Sequence, residues 1–119
     1  MACAGVSLTP DPASTSIDGR AVYERDCLAC HMSSGRGVPG MTPTLLASPW
    51  ITGGADALIG FVLTGGFGPQ ILMARFDFLT DQEMAAVLTY VRGAFGGDAS
   101  VITGDEVMRV RAQVEAESR

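Results

Sequence analysis

The chain is 119 residues long, 47% hydrophobic and 18% charged, with a formal net charge of -5, a balance that suits one compact domain whose small core would gain from a bound prosthetic group. All eight basic residues are arginine, so no lysine-rich face exists to neutralise phosphates, and the composition argues against nucleic acid as a partner. No apolar run approaches the roughly 20 residues that span a bilayer; the longest candidate is Ala57 to Leu63, ALIGFVL.

Residues 1–16, MACAGVSLTPDPASTS, carry no positive charge and no long apolar block. They are not a secretory signal peptide, and any export signal is expected to have been removed. Pro10 and Pro12 block regular helix there, so 1–16 reads as a flexible leader or interdomain linker. The fold proper is expected over 17–119, as a core of 17–95 and a C-terminal extension of 96–119. From Gly19 to Cys30 one helical face carries Gly19, Tyr23, Cys27 and Cys30, which predicts a single helix with both thiols pointing inward. Residues 32–55 hold three of the six prolines and repeated glycines and read as a wrapping loop. Asp56 is the expected cap of a short buried helix, ALIGFVL, that stops at Gly65-Gly66. A second irregular stretch, GGFGPQILMARFDF, follows. Thr80-Asp81-Gln82-Glu83 is a capping box, and Met84, Val87, Leu88, Val91 and Phe95 form a 3.6-period stripe behind it that ends at Gly96-Gly97. Thr103-Gly104-Asp105-Glu106 repeats the signature ahead of Val107, Val110 and Val114. No segment reads as a strand, so the predicted fold is all-α, with three core helices plus a C-terminal helix.

The chemistry concentrates in RDCLACHM, Arg25 to Met32, which contains the chain's only histidine. Cys-x-x-Cys-His is the attachment signature for c-type haem. Thiols at i and i+3 emerge from one side of a helical turn and can each add to a vinyl group on the porphyrin edge, and the histidine that follows can place a ring nitrogen on the iron. Three other readings compete. A thioredoxin-like pair belongs at a helix N-terminus, where the thiol pKa falls, and here it closes a helix. A structural zinc site needs four ligands, and the single available set of Cys3, Cys27, Cys30 and His31 asks adjacent residues to share a tetrahedron. A plain disulfide is the third.

An iron held by His31 keeps one open axial position, and with no second histidine and no lysine the choices are methionine, water or nothing. Met32 and Met41 lie close behind the attachment site, Met84 and Met108 on helix stripes, and Met1 at the terminus. Met73, in the irregular stretch before the capping box, is the candidate, against the alternative of a gap-filling core methionine.

On Gly19, Tyr23, Cys27, Cys30, His31, Pro43, Leu45, Met73 and Tyr90 the chain resembles the class I c-type cytochromes over about residues 17 to 95. The resemblance implies one covalently attached haem c and a crossing of the first and last core helices near Gly19, Tyr23 and Tyr90. It also implies that the carbonyl of Pro43 orients the ligating imidazole. GVPGMTPTL, SPWITG and YVRGAFGGDASVITGDEVMRVR are similar to single-haem cytochrome subunits or domains that accept electrons from periplasmic dehydrogenases. Two departures stand out: Ala74 follows Met73 where the family usually has proline, and no lysine ring is present for docking to an oxidase.

Trp50 is read either as an N–H donor to a haem propionate or as a core residue. Arg36 and Arg75 are read as propionate partners or as solvated surface arginines. Phe67, Ile71, Leu72, Phe76 and Phe78 are the expected pocket lining. Cys3, in MACAG, is a candidate lipid anchor. The expected function is single-electron transfer without catalytic residues, in the periplasm. A dehydrogenase would be the donor and an oxidase or another cytochrome the acceptor, with the chain either free or the cytochrome domain of a larger dehydrogenase. The competing class is a haem enzyme or gas sensor with a labile sixth position; an apo binding module is the third.

Overall fold

The computed structural model describes residues 17–66, 73–98 and 100–117. Among the described residues the chain folds into six helices: α1 (Gly19–Asp26), α2 (Leu28–His31), α3 (Pro49–Thr52), α4 (Ala55–Thr64), α5 (Asp81–Gly96) and α6 (Gly104–Glu117). They include no strand beyond one isolated antiparallel bridge between Val38 and Thr42.

α5 is the centre, and α1, α3, α4 and α6 all pack on it. It starts at the expected capping box, in which the Thr80 hydroxyl accepts from the Glu83 N–H at 3.0 Å and the Glu83 carboxylate accepts from the Thr80 N–H at 2.9 Å. Two otherwise orphaned amides are thereby satisfied. The helix stops at Gly97, which adopts φ +70° without steric cost. Every member of the predicted stripe, Met84, Val87, Leu88, Val91 and Phe95, is buried, each worth roughly 1.5–3 kcal/mol of transfer free energy.

The long-range crossing of α1 and α5 depends on the absence of a side chain at Gly19. A Cβ there would collide with the carbonyl of Ala86 and crowd the Cβ of Tyr90. With the backbones this close, Tyr23 packs its ring 5.5 Å from both Tyr90 and Phe95, and Tyr90 meets Phe95 edge-on at 6.0 Å. The crossing implied by the resemblance is thus present at all three residues.

Three local expectations are corrected. The helix expected to run from Gly19 to Cys30 opens at Cys27, whose φ of -118° departs from helical geometry. The chain then restarts as the single turn α2. α4 begins two residues earlier than expected, with Gly54 as N-cap. Asp56 lies within its first turn and makes no cap, because its carboxylate is engaged by the Arg109 guanidinium at 2.9 and 3.0 Å. The loop 32–55 also contains α3, started by the Ser48 hydroxyl accepting from the Trp50 N–H at 3.3 Å and by Pro49 in the first turn, where its missing N–H costs nothing.

α6 is fastened at its start by a second reciprocal box between Thr103 and Glu106. It buries Val107 and Val110, with Val114 half-buried. The connection from α5 is pinned by Ile102, whose N–H donates to the Thr89 hydroxyl at 2.9 Å. The same connection carries a 2.6 Å ion pair between the buried Arg92 and Asp98.

Candidate haem site

α1 delivers Cys27 to the site and α2 delivers Cys30 and His31. The joint between them is hydrogen-bonded throughout: the Cys27 N–H donates to the Tyr23 carbonyl at 2.8 Å, and the Cys30 and His31 N–H groups donate to the Cys27 carbonyl at 3.2 and 3.0 Å. Because the helix opens at Cys27, Cys30 falls on the separate turn α2, while Cys27 still packs against the core cluster that holds Tyr23. Cys27 is half-buried and Cys30 exposed, and neither is in a disulfide. Both pointing inward is therefore corrected to one at the edge of the core and one outside it. Burial, with the Asp26 carboxylate as a lesser contributor, pushes the Cys27 thiol up to about 11. This is the opposite of the activated thiol a thioredoxin-like pair would need.

His31 is half-buried, and burial lowers its pKa, so the imidazole is neutral at physiological pH, the form that binds metal. Its Nδ1 is buried with no hydrogen-bond partner. The Pro43 carbonyl therefore does not accept a hydrogen bond from that atom. What the carbonyls of Thr42 and Pro43 do approach is Gly37, where a Cβ would lie 2.7 Å from the Pro43 oxygen. Two unpaired thiols one turn apart, followed at once by a neutral imidazole with an orphaned buried nitrogen, are a donor set that fits a covalently held haem. Among the described residues no group of three or more Cys, His, Asp or Glu side chains is placed to hold a bare metal ion, so zinc finds no support there.

The loop beyond His31 is held by backbone. Met32 closes α2 at φ +67° and ψ 164°, a sparsely populated conformation that costs a non-glycine residue roughly 1–3 kcal/mol. Its carbonyl accepts from the Tyr23 hydroxyl at 2.6 Å and from the Gly35 N–H at 3.2 Å. Gly35, at φ +75°, lies under the ring of Phe95, where a Cβ would come within 2.6 Å of the ring. The Leu45 N–H returns to the Gly35 carbonyl at 2.6 Å. This contact between Gly35 and Phe95 was missed in the sequence, where the pair Gly35 and Gly37 in GRG was its one available signal.

Among the described residues, the remaining candidates have partners of their own elsewhere in the fold. Met73 is half-buried, and its N–H donates to the Gly65 carbonyl at 3.0 Å. Phe76 is half-buried and Phe78 exposed, their rings 5.5 Å apart. Trp50 is 39% exposed, with its ring 4.4 Å from that of Phe61. Arg75 pairs with Asp77, and Arg36 is exposed. Phe67, Ile71, Leu72 and Cys3 lie outside the described residues.

The model of one family, Cytochrome c, matches residues 16–94. The chain belongs to the cytochrome c family. Its fold is the all-α fold of the class I c-type cytochromes, a family of haem-dependent electron-transfer proteins whose haem is covalently bound. It is 34% identical over 110 residues to the gluconate 2-dehydrogenase cytochrome c subunit of Pantoea cypripedii, the match covering 81% of the chain and 24% of the subunit. It is 33% identical over 113 residues to the fructose dehydrogenase cytochrome subunit of Gluconobacter japonicus, covering 82% of the chain and 22% of that subunit. Cytochrome c-552 of Thermus thermophilus is 34% identical over 122 residues, with 85% of the chain and 79% of the relative covered. The chain thus spans about a quarter of the length of the dehydrogenase subunits it matches. No helix among the described residues is long and apolar enough to cross a membrane.

Proposed function

We propose that this cytochrome is a single-electron carrier whose haem is attached through Cys27 and Cys30 and ligated by His31 and Met73. It takes electrons from a dehydrogenase in the periplasm and passes them to the respiratory chain, as a free protein or as one domain of a larger subunit. The observation that carries the reading is the donor set at the end of α2: two free thiols and a neutral imidazole whose buried Nδ1 has no partner. The names of the relatives, cytochrome subunits of dehydrogenases, support the direction of transfer.

A bound haem supplies a one-electron couple whose potential follows from its axial ligands, burial and hydrogen bonds. The residues of the chain prepare its surroundings. Tyr23 and Gly35 hold the Met32 carbonyl, and with it the end of the turn that presents His31. Burial keeps the His31 ring neutral and available. The Met73 thioether, as a soft ligand, would favour reduced iron and raise the potential relative to two imidazoles. With His31 and Met73 both holding the iron, no position would be left for a substrate and no catalytic residue would be required.

Expression in a host able to attach haem, followed by absorption spectroscopy, tests the reading. The oxidised protein should show the far-red charge-transfer band of a thioether on iron, and Met73→Ala should lose it. A high-spin spectrum with ready carbon monoxide binding to the reduced wild type would instead establish a haem enzyme or gas sensor. Replacing Cys27 and Cys30 together by alanine should abolish covalent pigment, seen as loss of the haem mass.

A further inference from the structure

We propose that Arg111, on α6, is a positioning residue for the Met73 segment, fastening the downstream end of the stretch that supplies the sulfur ligand. The inference rests on the ligand reading of Met73 for its functional meaning, and on hydrogen bonds alone for its structural content.

Met73 lies in a non-helical stretch that ends at α5. Upstream, this stretch is tied to α4: the Met73 N–H donates to the Gly65 carbonyl at 3.0 Å and the Phe76 N–H to the Val62 carbonyl at 3.0 Å. Downstream, the Arg111 guanidinium closes it. Nη1 donates to the Asp77 carbonyl at 2.8 Å, Nη2 to the Leu79 carbonyl at 2.7 Å, and Nε to the Asp81 carboxylate at 2.9 Å. One planar fork, its side chain only 23% exposed, thus satisfies two loop carbonyls and pairs with the first residue of α5. Only arginine can make these three bonds at once, because its donors are fixed in a plane while an ammonium is a point charge. Leu79, whose carbonyl is gripped, is itself 3% exposed, so the bond fixes a turn already anchored in the core.

Arg109, two residues earlier on the same helix, makes an informative contrast. Its bidentate pair with Asp56 ties α6 to α4, with its hydrogen bonds directed away from the residues between Met73 and α5. Loosening α6 in general and releasing the ligand segment in particular are therefore separable by choice of arginine.

The experiment uses the holoprotein and two readouts. Amide hydrogen exchange by NMR reports the segment whether or not Met73 binds iron. Arg111→Gln should speed exchange at Met73 and Phe76 about tenfold, the loss of roughly one net charge-assisted hydrogen bond, with Leu88 and Val91 unchanged and with no such effect in Arg109→Gln. The temperature at which the far-red band disappears should fall in Arg111→Gln relative to the melting of the helices, and should keep pace with that melting in Arg109→Gln. Should Arg111→Gln not accumulate, Asp81→Asn, which removes one anchor of the guanidinium, should show the same pattern at smaller size. Equal exchange at Met73 and Phe76 in wild type and Arg111→Gln, or equal acceleration in the Arg109 variant, overturns the proposal. A wild type without the band, or a Met73→Ala protein that retains it, overturns the ligand reading instead while leaving the exchange result to stand by itself.

Discussion

The hydroxyl of Tyr23 donates a 2.6 Å hydrogen bond to the carbonyl of Met32, the residue after the single histidine. The donor belongs to the buried face of α1 and the acceptor to the strained exit of α2, so one bond joins the core to the loop that carries His31. Burial pushes the phenol up to about 12, which keeps it a proton donor throughout the physiological range. Tyr23→Phe removes this donor and keeps the ring contacts with Tyr90 and Phe95. The Gly35 N–H still serves the carbonyl, so the loss should be modest, about 1 kcal/mol. Urea denaturation of the holoprotein checks it, and an unchanged midpoint would show that the bond offsets none of the strain at Met32.

Gly19→Ala should be far more damaging than its size implies. The added methyl meets the backbone carbonyl of Ala86, which cannot rotate away, so α1 and α5 must separate. The expected cost is about 3 kcal/mol, the upper end for overpacking. Gly97→Ala is the comparison: nothing lies within 4 Å of the new methyl, and the cost is confined to roughly 1–2 kcal/mol for a side chain at positive φ. Thermal melts of the two variants should rank in that order.

Acid should weaken the molecule through Asp98. Hydrogen bonds from the Ser100 hydroxyl and amide, then from Arg92, hold its carboxylate at about 2, against an ordinary 3.8. The folded state therefore binds this proton less tightly than the unfolded chain. The stabilisation is complete above about pH 4 and fades as pH falls through 2. Asp98→Asn should lower the melting temperature at pH 7 and flatten its decline between pH 4 and pH 2. Asp56, Asp77 and Glu83, also depressed by their partners, leave a residual slope. Parallel wild-type and variant curves would show that the Asp98 carboxylate has no special role.

Electron exchange with small ions should reveal the field of the protein. Six arginines among the described residues are already in ion pairs, so little positive charge is left to oppose a net charge of -5. Oxidation by ferricyanide should accelerate as salt is added, and oxidation by a cationic cobalt complex should slow. Most of the change should come before about 0.1 M, where the screening length falls to about 10 Å. Stopped-flow rates that ignore salt with both reagents would remove electrostatic guidance from the account.

The helices that carry the fold were legible because their signals are local. Thr80 to Glu83 announces α5 and its stripe fixes the buried face; Thr103 to Glu106 does the same for α6. The site motif was legible for a similar reason, since two thiols and a histidine within five residues need no tertiary information. Asp56 was misread as a cap because its true partner, Arg109, is distant in sequence. The break at Cys27 was missed because hydrophobic spacing continues through it, while the backbone is pulled open by the turn that follows. The grip of Arg111 on two carbonyls leaves no mark in the sequence at all, since backbone acceptors carry no residue identity.

The interlocking of α1 with α5 turns everything between them into a loop buckled at both ends. A single cut at the exposed tip near Met41 would sever the covalent thread without parting the halves, which should stay clasped at Gly19 and Ala86 and run together on a sizing column until denaturant is added.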